Sequence, residues 1–121
     1  ILIVDDEPVN LEVARFLLEE SGLCVDTAAD GEEATRRASS ETYALILMDM
    51  HLPTMDGLEA TRQIRQSPTG KQVPIIALTA NAFAEDRQRC MASGMSDFVG
   101  KPFVPEQLFA VILKWLRREG Q

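Results

Sequence analysis

Five short apolar runs, at about residues 1–5, 24–28, 44–49, 74–78 and 97–100, alternate with helix-like segments at about 8–20, 31–40, 57–66, 84–93 and 105–118. Parallel strands need long crossover connections, and helices fill them, so a strand-helix unit repeated five times predicts an α/β fold on a parallel sheet. Helix starts are marked by their own chemistry. Pro8 and Pro105 suit first-turn positions, and Asp30 to Glu33 and Asp56 to Glu59 read as capping boxes. Gly22 and Gly94 suit the left-handed stop after a helix. Helices must cover both faces of so apolar a sheet, and right-handed crossovers then leave few strand orders.

Within the first helix, Val9, Val13, Phe16 and Leu17 form one apolar stripe, expected to face the core. In the last helix Leu108, Val111, Ile112 and Trp115 form another. Ser67-Pro68-Thr69-Gly70-Lys71 reads as an exposed loop.

With 121 residues the chain has room for one domain, 1–121, and no second core. An apolar content of 45% with 26% charged residues argues against disorder. The net charge of −7 provides no basic stripe, so direct binding to nucleic acid is not expected. Uncharged apolar stretches fall far short of the ~20 residues that span a bilayer, so no membrane contact by this domain is expected either. Cys24 and Cys90 lack metal-ligand spacing and are read as reduced, mostly packed thiols. Opening on Ile1, inside a strand, the chain reads as a piece excised from a longer protein.

Chemistry gathers where the apolar runs end. Asp5 and Asp6 close the first, Asp49 the third, Thr79 follows the fourth, and Lys101 follows the fifth. If strand 1 is central with strand 3 beside it, the three carboxylates meet at the switch point, where open α/β sheets bind ligands. Carboxylates about 4 Å apart repel by roughly 4 kcal/mol at an effective dielectric near 20. A hard dication such as Mg²⁺ offsets this with carboxylate and carbonyl oxygens, and Lys101 adds positive charge. A solvated acidic loop balanced by Lys101 is the plainer alternative. With a metal present, Asp49 is a candidate nucleophile toward a phosphoryl group. The Thr79 hydroxyl and the amide of small Ala80 are candidate donors to its oxygens.

The motifs Asp5-Asp6-Glu7, Met48-Asp49-Met50-His51-Leu52-Pro53-Thr54-Met55-Asp56-Gly57, Leu78-Thr79-Ala80 and Lys101-Pro102, in this order and spacing, resemble those of a response-regulator receiver domain over essentially the whole chain. The resemblance implies a flavodoxin-like, doubly wound (βα)5 fold with strand order 2-1-3-4-5. It implies that Asp49 accepts a phosphoryl group from a phosphohistidine on a histidine kinase or a histidine phosphotransfer domain. Asp6, Asp49 and the backbone carbonyl of His51 would ligate Mg²⁺, with Asp5 helping through water. Lys101, Thr79 and the Ala80 amide would bind phosphoryl oxygens, and Lys101-Pro102 would be a cis peptide. Phe98 matches the switch aromatic that packs inward when Thr79 shifts, which would change the face of helix 4, strand 5 and helix 5. A homodimer through that face is left open. His51 and Asn81 are expected to tune water's access to the aspartyl phosphate.

Met48-Asp49-Met50, Glu59-Ala60-Thr61-Arg62 and Ala77-Leu78-Thr79-Ala80-Asn81-Ala82-Phe83 are most similar to receivers of hybrid histidine kinases. A cytoplasmic domain of a parent sensor kinase, itself membrane-bound, is the implied setting. Asn10, Leu11 and Ala14, off the first helix's apolar stripe, together with Phe103, are expected to form the patch on which the donor docks.

No glycine-rich nucleotide loop is present, so ATP is not the direct donor. Three alternatives stand beside the hybrid-kinase receiver: a stand-alone response regulator, a receiver-shaped interaction module without phosphorylation, and a Mg²⁺ aspartyl phosphatase. The phosphatase would place a second Asp two residues after the nucleophile, where this chain has His51.

Overall fold

The computed structural model describes residues 1–50, 52, 55, 57–79, 88, 91–100 and 104–119. Five strands, β1 (Leu2–Val4), β2 (Asp26–Ala28), β3 (Ile46–Asp49), β4 (Ile75–Thr79) and β5 (Asp97–Gly100), form one parallel sheet in the order β2-β1-β3-β4-β5. Helices α1 (Pro8–Glu20), α2 (Gly31–Ser40), α3 (Gly57–Gln66) and a C-terminal helix (Pro105–Glu119) match the expected segments. Of the helix expected at 84–93, Gln88 and residues 91–93 are described, and these are helical.

Alternation along each strand separates two cores. Leu2, Val4, Ile46, Met48, Ile75 and Ala77 pack toward α2 and α3, joined by Ala34, Leu58 and Ile64. Ile3, Leu47, Ile76, Leu78 and Val99 pack toward α1 and the C-terminal helix, joined by Leu18, Leu108 and Ile112. The last helix thus buries the stripe expected of it, with Val111 and Trp115 packed at its margin.

Local signals act as their chemistry requires. Asp30 caps α2 by accepting from the Glu33 amide at 2.8 Å, while the Glu33 carboxylate reaches back to the Ala29 amide at 2.8 Å. Asp56, of the second box, lies outside the described residues. Pro8 starts α1. Gly22 and Gly94 adopt φ of 89° and 107°, the left-handed conformation that L side chains rarely take.

Three expectations fail. The stripe of α1 expected to be core is largely exposed, at 69% for Val9, 47% for Val13 and 63% for Phe16. The buried face is the opposite one, Ala14 and Leu18, with Leu11 packed beside them. Small Ala14 lets the helix approach the sheet, and a tight link from β1 through Glu7 to Pro8 fixes the helix's rotation. Second, 67–71 is not simply an exposed loop: Pro68–Gly70 is a 3₁₀ turn, and Gly70 is buried against Ile64. Third, Cys24 is an exposed free thiol on the approach to edge strand β2. Cys90 lies outside the described residues.

Candidate phosphoacceptor site

Register places the site. Val4 lies beside Met48, Asp49 beside Leu78, and Thr79 beside Gly100, so β1, β3, β4 and β5 finish along one edge. The residues leaving that edge are Asp5, Asp49 itself and Thr79 itself, all nearly buried at 1%, 4% and 2% exposure, with exposed Asp6 above them. One carboxylate oxygen from each of Asp5, Asp6 and Asp49 lies within 4.8 Å of the others.

Main-chain contacts hold these groups. The Asp5 amide donates to the Ala28 carbonyl at 3.1 Å, and its Oδ1 accepts from the Glu7 amide at 2.9 Å, closing the turn into α1. The Met50 amide donates to Leu78 O at 3.1 Å, and the Gly57 amide donates to Met50 O at 3.0 Å. These bonds bring the start of α3 directly beneath the end of β3. Gly57 is required there, because a Cβ would collide with the carbonyl oxygen of Asp49 and lie 2.9 Å from Met50 Cα. In the sequence, Gly57 stands only as the end of the motif that runs from Met48. The adjacent Asp56-Gly57 pair marks the turn, but nothing in the sequence signals contact with the Asp49 backbone.

Asp5 and Asp49 repel by roughly 3 kcal/mol at a separation of this order and an effective dielectric near 20. The ligand atoms are all carboxylate oxygens, a hard donor set that suits Mg²⁺ or Ca²⁺ and not a soft metal.

Phe98 is half-buried on β5 beside Ala77 and packs against the α2 and α3 core. It borders an open recess of about 430 Å³, lined also by Val99, Gly100, Gln107, Ala110 and Val111. Thus the aromatic has room to change position.

The expected docking patch does not form as read. Ala14 is fully buried and Leu11 packs into the core, because that face of α1 lies on the sheet, and Asn10 is half-buried. His51, Ala80, Asn81, Lys101, Pro102 and Phe103 lie outside the described residues, and so does the cis peptide expected at Lys101-Pro102. Each of His51, Ala80 and Lys101 directly follows a described residue at the site edge, Met50, Thr79 and Gly100.

A family model described as the response regulator receiver domain matches residues 1–113. The chain belongs to that family, the phosphoacceptor modules of two-component signalling. It is 38% identical over 120 residues to the signal transduction histidine-protein kinase BarA of Escherichia coli K12, covering 99% of this chain and 13% of the kinase. It is 39% identical to the sensor histidine kinase GacS of Pseudomonas protegens, covering 99% of this chain and 14% of that protein. The chain therefore spans about one seventh of the length of these relatives. Among solved structures, the receiver domain of the sensor histidine kinase PA1611 from Pseudomonas aeruginosa has a TM-score of 0.89 and 45% identity, covering 95% of this chain and 94% of its own. That structure has a magnesium ion coordinated in its active site cleft. A two-component response regulator from Clostridium difficile has a TM-score of 0.91 and 30% identity, covering 99% of this chain and 97% of its own.

Proposed function

We propose that Asp49 is the phosphoacceptor, taking a phosphoryl group from a phosphohistidine donor, and that this chain is the receiver of a hybrid histidine kinase. The observation that carries the reading is the set of three strand-end carboxylates within 4.8 Å, with buried Thr79 one strand away. Asp6 and Asp49, with the His51 carbonyl, would hold Mg²⁺, and Asp5 would help through water. When bound, the dication neutralises the carboxylates and lets an anionic phosphoryl group approach.

An Asp49 carboxylate oxygen attacks phosphorus as the P–N bond to the donor imidazole breaks, its electron pair returning to nitrogen. The products are an aspartyl phosphate and a free histidine. Thr79 and the Ala80 amide donate to the phosphoryl oxygens, and Lys101 pairs with one of them. Thr79 then draws toward the phosphate, Phe98 follows, and the face around β5 and the C-terminal helix shifts in population. His51 and Asn81 set water's access and hence the lifetime of the phosphate. Similarity to BarA and GacS over 99% of the chain supports the hybrid-kinase setting. Among the described residues no helix is long and apolar enough to cross a membrane.

The test is intact mass after incubation with Mg²⁺ and acetyl phosphate. One phosphoryl adduct is expected, lost in Asp49→Asn and on chelation of the metal, and strongly reduced in Lys101→Ala. No Asp49-dependent adduct would make the chain an interaction module, and rapid turnover of unrelated phosphomonoesters would make it a phosphatase.

The exposed stripe of α1 gives the donor a place to dock. Val9, Val13 and Phe16 lie in line on a helix that begins three residues after Asp5, so a helix carrying the phosphohistidine can pack on them with its imidazole near Asp49. Phe16→Glu is expected to slow transfer from a phosphohistidine protein by about tenfold or more, since the aromatic that the docked donor would cover is lost. Labelling by acetyl phosphate should be unchanged. Equal slowing of both would show damage to the fold.

A further inference from the structure

One carboxylate joins the edge strand to the last helix. Asp97 Oδ1 accepts from the amide of Phe98 at 2.9 Å, and its Oδ2 accepts from the indole Nε1 of Trp115 at 2.9 Å. Lys114 Nζ stands 3.5 Å from the same Oδ2 and 5.6 Å from the Trp115 ring centroid, closing the cluster from the solvent side. Asp97 is thus engaged on two elements at once, and one of its partners is the backbone of the half-buried aromatic beside the open recess. That recess is walled on its other side by the same helix, at Gln107, Ala110 and Val111. Val111 lies one turn before Trp115.

We propose that Asp97 is a positioning residue that couples Phe98 to the C-terminal helix, so that the helix moves with the aromatic and Trp115 reports the state of Asp49. The proposal rests on the phosphoacceptor reading. Moving the Phe98 backbone displaces the carboxylate bonded to its amide. The indole N–H, half-buried and held by a charge-assisted bond, must then follow or lose its partner. Trp115 is the one tryptophan of the chain, so its emission reports the surroundings of this one indole.

The experiment follows Trp115 emission and intact mass together as Mg²⁺ and acetyl phosphate are added to the chain. In the parent an emission change is expected to track the adduct. Asp97→Ala should form as much adduct yet lose more than about half of the emission change. Asp97→Asn, which keeps an acceptor oxygen, should restore part of it. A full adduct with an undiminished change in Asp97→Ala, or a parent adduct with no change, overturns the coupling. Absence of adduct in the parent overturns the phosphoacceptor reading, and with it the link to Asp49. The physical joint is decided separately by amide exchange over 105–117 without phosphodonor. Faster exchange is expected in both Asp97→Ala and Trp115→Phe, and unchanged exchange in both removes the joint.

Discussion

Gly57→Ala is expected to lower stability by several kcal/mol and to cost most of the phosphoryl acceptance in whatever fraction still folds. The added methyl would meet Asp49 O, Asp49 C and Met50 Cα, all main-chain atoms at the end of the central strand β3. No flexible side chain can swing away, so either α3 retreats or the end of β3 shifts. Overpacking in a tight core costs about 1–3 kcal/mol, and more where backbone must move. Retreat of α3 breaks the Gly57 amide bond to Met50 O as well. Displacement of β3 moves Asp49 relative to Asp5 and Asp6, and misplacement by about 1 Å is enough to cost on the order of 10²-fold in a positioned reaction. Urea unfolding and the rate of acetyl phosphate labelling check the two parts. A variant with parental midpoint and parental labelling would mean that the turn has slack.

Arg65→Met is expected to lower stability by about 3 kcal/mol or more, with little effect on Asp49 chemistry at low temperature, where the chain stays folded. The Arg65 guanidinium donates from Nε and Nη2 to Gly94 O at 2.9 and 2.8 Å, and from Nη1 to Gly70 O at 2.9 Å and to Val73 O. It also reaches Ser96 Oγ at 3.4 Å, and that hydroxyl accepts from the Ile75 amide. One side chain therefore ties the end of α3, the 3₁₀ turn, the approach to β4 and the left-handed stop before β5. Burial lowers the guanidinium's pKa, but from so high a value that the charge is kept. Methionine retains much of the stem's packing and removes every donor. Several part-buried carbonyls then lose a partner, at about 1–3 kcal/mol each before water compensates. The urea midpoint should fall at constant slope. Arg65→Lys should recover only part, because an ammonium cannot span acceptors arranged for a planar fork.

Much of this fold is legible in the residues. Apolar runs ending in Asp5, Asp49 and Thr79 give the strands, and a parallel sheet has to bring their C-terminal ends to one edge. The site then follows from register, without knowledge of any side-chain contact. Helix bounds are legible because Pro8, Asp30, Gly22 and Gly94 act locally.

The rotation of α1 is not legible. Val9, Val13 and Phe16 keep a helical spacing, and so do Leu11, Ala14 and Leu18 on the opposite face. Bulk and hydrophobicity favour the first stripe, whereas close approach of helix to sheet favours the one carrying Ala14. The tertiary requirement wins, and the larger apolar side chains are left to solvent. The Arg65 joint leaves no mark in the sequence either, because its strongest acceptors are main-chain carbonyls, which any residue provides. The same holds for Gly57, whose need for a missing Cβ arises from the return of α3 beneath β3.

Residence of the phosphate on Asp49 can be read by chemical trapping. Borohydride reduces an acyl phosphate to the corresponding alcohol, so the labelled chain, reduced and digested, would carry homoserine in place of aspartate at the modified position. That conversion is expected at position 49 alone, dependent on Mg²⁺ and acetyl phosphate together. Conversion at Asp5 or Asp6, or none in a chain that carries a stable phosphoryl adduct, would contradict it.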